Sequence, residues 1–475
     1  MKVLFLQKDV FAKPAIMSLS AILKKEGHQC ELLVDDLEKN IVSSALKINP
    51  DLIAFSITTG EYPWMKETGE AIRKKFDNII ICGGAHPTFY TDVIHDSYLD
   101  AICVGEGEGA FKEYINTLEH GGDITHIQNF IVKKNNMIFR NGLRPLIENL
   151  DTLPFYDRSI YNKYSLYKNS NDCILFHNII ITNRGCPYQC AFCFNKLYNE
   201  LYRGKGRIFR RRSVSHVIEE LKEMIKDKRL KFLSIEDDSF LIPPREWLTE
   251  FLEAYKAEIN IPFKILTPAH FIDEDMVIKL KAANCYSIKI GVETGNEDYR
   301  INVLHKKVTD KDITTAAHLL KKYGIRIQTY NMLGCPDETL EMALETFELN
   351  RRIGADFVWC SLLNPYPGTE IFDYALKNGC LKNSFKFQDI GYSYFIETPI
   401  KLKNKREICN LQKVLYLSIL FHLPKGFVLK LIKLPLDRVY TILFGASFFI
   451  GLLRINKIGL FSLIKLTTAR FIKYI

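Results

Sequence analysis

The chain has no tandem repeat, no low-complexity tract and no apolar run as long as a membrane span. Its longest candidate, ILFGASFFIGLL (442–453), has twelve residues, whereas a helix needs roughly 20 to cross a bilayer. A transmembrane protein is therefore not expected. The opening MKVLFLQKDVFAKPAI has too short an apolar run for a secretory leader and reads as a first strand. The twelve cysteines are scattered along 475 residues rather than paired as in a small secreted scaffold. A reducing, cytoplasmic setting is expected. Basic excess is also missing from most of the chain. Net charge is +9, but residues 401–475 hold fourteen Lys/Arg against two Asp/Glu, which leaves the first 400 residues at −3. No nucleic-acid partner is expected.

What is present is material for two or three globular domains, with 47% hydrophobic and 25% charged residues. In residues 1–130, KVLFL, CELLV, DLIAFSI, NIIICGG and AICVGEGE read as strands alternating with helical patterns. Their nearly continuous apolar character predicts a parallel sheet covered on both faces. This is a doubly wound, Rossmann-like α/β unit, whose ligands sit beyond the carboxyl ends of the strands. The glycine-rich segments fall there. Residues 131–178 read as a connector punctuated by Pro145 and Pro154. From 179 to 399 a second series of about six βα units predicts a partial (β/α)6 TIM-like barrel. Residues 400–475 read as helical, basic and apolar. They are expected to form a cap over the substrate pocket, an amphipathic membrane-surface element or a protein-docking element.

The strongest chemical signal is RGCPYQCAFC (184–193), which carries Cys186, Cys190 and Cys193 as C-x3-C-x2-C at the end of the first barrel strand. Closed structural zinc sites take four ligands. No further Cys or His occurs in the next twenty residues, and His216 is the nearest downstream. Three thiolates can instead hold an iron–sulfur cluster and leave one iron open.

This loop, with the aromatic Phe192 before its last cysteine, resembles the radical S-adenosylmethionine (SAM) superfamily. IEDDSF (235–240), IKIGVETGN (288–296), NMLGCPDET (331–339) and NPYPGTEIF (364–372) follow in that barrel's order. The resemblance implies a 4Fe-4S cluster on the three cysteines, with SAM on its open iron. Reductive cleavage would yield methionine and a 5′-deoxyadenosyl radical that attacks an unactivated carbon. It also implies SAM contacts at Phe192, at the acidic pair Asp237 and Asp238, and at Glu293. For each carboxylate a helix cap or solvated turn is the bland alternative. Gly334-Cys335-Pro336-Asp337-Glu338 resembles a G-x-P-G-E turn in which Asp337 replaces the second glycine.

The N-terminal domain resembles a cobalamin (B12)-binding domain joined to such a barrel. The likeness rests on Ser56-x-Thr58, on ICGGAHPT (81–88) with Gly83, Gly84 and His86, on VGEGEGAF (104–111) with Gly105, Glu106 and Gly107, and on the junction ENLDTLPFYDR (148–158). The likeness implies cobalamin contacts at Ser56, Thr58, Gly83, Gly84, His86, Gly105, Glu106 and Gly107. No D-x-H-x-x-G occurs, and Phe11 stands where its histidine would be. Cobalamin is expected with its own base displaced and no protein histidine on cobalt, with His86 as a neighbour. The family reading is a cobalamin-dependent C-methyltransferase. The alternatives are a cobalamin-dependent oxidoreductase or cyclase, a SAM- or cobalamin-binding sensor, and a tRNA-modifying enzyme. A small-molecule or lipid-like substrate, a flavodoxin- or ferredoxin-like electron donor and peripheral membrane contact complete the expectations.

Overall fold

The computed structural model describes residues 1–164, 178–386, 389–390 and 393–456. The chain divides into two units. One comprises residues 1–164 with Tyr198–Arg210, and the other comprises Asn178–Leu197 with 211–456.

In the first unit, β1 (Lys2–Gln7), β2 (Gln29–Val34), β3 (Leu52–Ser56), β4 (Ile79–Gly83) and β5 (Ala101–Cys103) form a parallel sheet. Their centres are apolar and buried because helices cover both faces. The sheet order is β2-β1-β3-β4-β5-β6-β7. The last two strands, β6 (Phe130–Lys134) and β7 (Met137–Arg140), are an antiparallel hairpin inside the stretch expected to be a connector. Asn135 and Asn136 both have positive φ, as a tight two-residue hairpin turn requires. The remaining junction also packs on this unit. Tyr161 donates to Gln7 at 2.7 Å, and the backbone N–H of Val34 donates to the Tyr164 hydroxyl at 2.8 Å. The expected boundary at 130 is thus replaced by a unit that runs through 164 and recruits Tyr198–Arg210.

The second unit is a six-stranded parallel sheet in chain order. Its strands are β8 (Ile179–Ile180), β9 (Leu233–Ile235), β10 (Phe263–Leu266), β11 (Cys285–Glu293), β12 (Arg326–Leu333) and β13 (Phe357–Leu362). It is a partial barrel: β8 and β13 are its two edges. Five of the intervening helices begin with side-chain caps, at Ser213, Asp273, Asn296, Thr309 and Thr339, the fourth being the Thr309/Asp312 capping box.

Among the described residues, the two longer C-terminal helices pack against the edge of the sheet. Lys405–Leu420 and Asp437–Ile455 cover the edge strand β13. Tyr416 and Phe448 pack edge-on against Phe357, and Gln412 donates to the Cys360 carbonyl at 2.8 Å. The last helix then reaches the amino ends of the strands, where Ser287 donates to the Ile455 carbonyl and Lys264 to Asn456. An open sheet edge is a pairing hazard, and a covering helix removes it. The helix Asp437–Ile455 has 19 residues with a mean hydropathy of 1.5 over 18 of them, enough by length and composition to cross a membrane. The sequence hid this length because Tyr440 and Thr441 interrupt the apolar run without ending the helix. One face is nevertheless committed to the sheet. A Cβ at Gly451 would lie 2.1 Å from the Phe357 ring. Gly451→Ala is expected to destabilise the second unit by about 1–3 kcal/mol through overpacking, seen as a lower thermal midpoint. An unchanged midpoint would mean that this helix leaves Phe357 in solution.

Candidate functional site

The cysteine loop starts where β8 ends, and a buried carboxylate fixes its departure. Asp237 accepts from the Thr182 N–H at 2.7 Å, the Thr182 hydroxyl at 2.5 Å, the Asn183 N–H at 3.2 Å and the Asn183 amide at 2.8 Å. Burial pushes its carboxyl up to about 6 against these donors. The loop is pinned again in its middle. Ala191 donates to the Leu304 carbonyl and accepts from the Ile371 N–H, both at 3.0 Å.

Held this way, Cys186, Cys190 and Cys193 all line one cavity of about 230 Å³ at the carboxyl ends of the barrel strands. Burial raises their thiols, to about 11 for Cys186 and about 12 for Cys193. Among the described residues, no three His, Cys, Asp or Glu side chains stand close enough to hold a single metal ion. Three thiols lining one cavity can hold an iron–sulfur cluster that keeps one iron open.

Phe192, Asp238 and Glu293 line the same cavity. Asp237 does not: all four of its hydrogen bonds go to Thr182 and Asn183, so its expected SAM contact is corrected to an anchor of the loop. Burial raises the Asp238 carboxyl, and Asn195 opposes the shift by hydrogen bonding. Glu293 caps no helix. The β11–β12 register slips between Gly291 and Glu293, and Glu293 takes φ +65°. Such a bulge re-aims a side chain, here onto Lys306 at 2.5 Å. A Cβ at Gly291 would strike both the Lys306 ammonium and the Glu293 carboxylate, so the glycine makes room for the pair.

Sequence reasoning missed Tyr188, Ser239, Thr267, His270, Lys306 and Tyr330, which also line this cavity. Tyr188 and His270 meet at 2.9 Å across it. Tyr330 adjoins a charged barrel interior, where Lys289 pairs with Glu236 at 2.7 Å. Burial and the neighbouring Lys289 push the Lys264 ammonium down to about 7, with Glu236 opposing. A signal existed: in IKIGVE, Lys289, Gly291 and Glu293 alternate, so they share one face of a parallel strand.

In the first unit, Ser56, Gly83, Gly84, Gly105 and Gly107 line a second cavity of about 110 Å³ with Phe5, Cys82, Cys103 and Phe111. It opens where cofactors sit in doubly wound sheets. A Cβ at Gly107 would meet only Leu19 and Cys103 at van der Waals distance, so a larger side chain would fill the space. Gly84 has φ +101°, and a Cβ there would lie 2.6 Å from the Ile57 carbonyl oxygen. Only glycine allows that approach. This narrow cradle fits the nucleotide tail of a cobalamin.

Three expected cobalamin contacts lie elsewhere. Glu106 pairs with Arg210 at 2.9 Å and accepts from the Ile147 N–H, tying Tyr198–Arg210 to this unit. His86 is fully buried between Tyr62 and Tyr90, and burial lowers its imidazole to about 4. Thr58 caps a short turn with Glu61, whose carboxylate also holds Lys13. Their partners are distant in sequence or aromatic, which motif spacing does not reveal.

The turn after β12 keeps its shape without the expected glycine, since Asp337 adopts φ +60°. Asp is among the residues that tolerate this region. Beneath it, Glu338 accepts from the Gly334 and Cys335 N–H groups, and burial pushes its carboxyl up to about 8. Between its ordinary value of 4.5 and about 8, the folded chain holds a proton that the unfolded chain releases. Rising pH therefore costs stability across that window. Glu338→Gln is expected to lose less thermal stability than the parent chain between pH 6 and pH 8. Parallel pH profiles would contradict a protonated Glu338.

Comparison with known proteins agrees with this geometry. Residues 180–349 match the Radical SAM superfamily, and residues 8–115 match the B12 binding domain. The chain is 26% identical over 450 residues to an uncharacterized methyltransferase of Pyrococcus horikoshii, covering 90% of this chain and 94% of that one. It is 23% identical over 369 residues to the anaerobic magnesium-protoporphyrin IX monomethyl ester cyclase of Rubrivivax gelatinosus, covering 74% of this chain and 64% of that one. The structure of the radical SAM methyltransferase TsrM from Kitasatospora setae, with tryptophan and a SAM analogue bound, superposes with a TM-score of 0.67. That match has 16% identity and covers 84% of this chain and 80% of the other, a likeness of fold. With a B12-binding unit ahead of a partial barrel whose cavity carries three cysteines, the chain belongs to the cobalamin-binding radical SAM enzymes.

Proposed function

We propose that this enzyme transfers a methyl group to an unactivated carbon of a small or lipid-like acceptor. The observation that carries the proposal is the cavity where three cysteines, Phe192, Asp238 and Glu293 converge without a fourth cysteine. Cys186, Cys190 and Cys193 would hold a 4Fe-4S cluster with one iron open to SAM. When bound, the reduced cluster supplies the electron that splits SAM, and cobalamin supplies a methyl carrier.

The chain's own residues bind and orient. Asp238, raised by burial, becomes easier to ionise once a cationic ligand enters. Glu293 is held in place by Lys306. Phe192 packs on the cluster of Tyr299, Leu304 and Leu363, closing an apolar wall that excludes water from a reactive radical. In the first unit, Ser56, Gly83, Gly84, Gly105 and Gly107 would cradle cobalamin. Its base would be displaced and its cobalt would carry no protein histidine, because D-x-H-x-x-G is absent. A flavodoxin- or ferredoxin-like donor would supply electrons, and a lipid-like acceptor would bring the protein to a membrane surface. The name of the Pyrococcus relative supports methyl transfer. The second reading, ring closure without methyl transfer, draws on the Rubrivivax cyclase.

Cys→Ala at any of 186, 190 or 193 is expected to abolish SAM cleavage. Asp238→Asn is expected to raise the KM for SAM by roughly ten- to a hundredfold, the loss of one charged hydrogen bond. With deuteromethyl-labelled SAM, the label should appear in the acceptor. Deoxyadenosine without transferred label would favour the cyclase reading, and cleavage retained by the Cys→Ala variants would refute the cluster assignment.

A further inference from the structure

Eleven large apolar side chains are exposed among the described residues, and six of them fall within one stretch of 22 residues: Phe421, Phe427, Leu434, Leu436, Val439 and Ile442. Ile442 is 72% exposed and Phe421 65%. So many exposed large apolar side chains within one short stretch mark an interaction site rather than ordinary surface composition. It is built from the short helix Lys425–Leu431, the link 432–436 and the first turns of the helix Asp437–Ile455. Residues 433–439 (KLPLDRV) are exposed without a break. Lys430, Lys433 and Arg438 project from the same stretch, and no ion pair is recorded for any of them among the described residues. The only carboxylate here, Asp437, lies 3.8 Å from Arg406.

We infer that residues 421–442 are a docking surface for an anionic lipid bilayer, which the protein meets without crossing. This deepens the membrane part of the reading above and rests on it for its biological sense, though not for its test. Charge complementarity chooses the occupant. Lys430, Lys433 and Arg438 match headgroup phosphates, while Leu434, Leu436, Val439 and Ile442 match the acyl boundary just beneath. Both features sit at the turn between two helices, as an element that dips into an interface requires. Crossing is excluded by the opposite face of the same helix. Phe444, Phe448, Gly451 and Leu452 are buried, with Phe448 and Gly451 packed on Phe357, and Ile455 is bonded to Ser287. A span would have to surrender those contacts to lipid.

The test is sedimentation of the full chain with vesicles of phosphatidylcholine alone and of phosphatidylcholine mixed with phosphatidylglycerol. Binding is expected to the mixed vesicles and to weaken steeply with added salt. Lys430→Gln, Lys433→Gln and Arg438→Gln combined should weaken it by roughly a hundredfold, since each cation near an anionic surface contributes about a factor of five. Leu436→Ser with Ile442→Ser should abolish it at any salt. Circular dichroism and SAM cleavage of both variants, expected to match the parent chain, separate lost docking from lost folding or failed chemistry. No binding to the mixed vesicles, or binding indifferent to phosphatidylglycerol, overturns the proposal. So does a homodimer in solution that Ile442→Ser dissolves, which would give the patch to a second copy. A protein captured through the same patch while vesicles are ignored would likewise overturn it.

Discussion

The second unit depends on one buried carboxylate. Asp237 takes two backbone N–H groups, a hydroxyl and an amide from Thr182 and Asn183, the residues that lead from β8 into the cysteine loop. Without it those donors would be stranded in the interior, at a cost of about 1–3 kcal/mol each. Beyond the two-residue strand Asn183–Arg184, the loop carries no regular strand or helix before Phe194. Its path is instead set by this anchor at the start and by Ala191, held between Leu304 and Ile371, in the middle. Three thiols on one cavity are the result. Rigid support beneath a reactive loop lets the same residues bind a cofactor and keep water from it.

The barrel's open form raises a second demand. Six parallel strands leave two edges and an interior wide enough for charge. The C-terminal helices meet the first need by covering β13. The second is met by pairing: Lys289 with Glu236, and Lys264 with Asn456 from the end of the last helix. A buried ion pair contributes little net stability, but breaking one is costly. The terminal helix is therefore part of the barrel on one face, and its other face carries the exposed apolar and basic side chains.

Much of this was legible in the sequence, because burial on both faces writes parallel strands as continuous apolar runs. The five apolar runs of residues 1–130 were all found as strands, the second series supplied six more, and the cysteine loop fell at the predicted strand end. The losses have physical causes. Asp237 and Asp238 are neighbours, and successive side chains leaving a strand point to opposite sides. Only one could face the cavity, and spacing alone does not say which. Glu106 looked like a cofactor contact because its partner, Arg210, lies 104 residues away. His86 looked polar, but Tyr62 and Tyr90 enclose it. The hairpin at 130–140 was hidden by its two asparagines, whose turn geometry is an alternative to the glycine usually sought.

The central claim is that three cysteines hold a cluster with one open iron that SAM occupies. Electron paramagnetic resonance of the anaerobically reconstituted, dithionite-reduced protein tests it most directly, recorded with and without SAM. The account expects a reduced 4Fe-4S signal that changes shape and g-values when SAM is added. A signal unchanged by saturating SAM, or no reducible cluster in a folded protein, would contradict it.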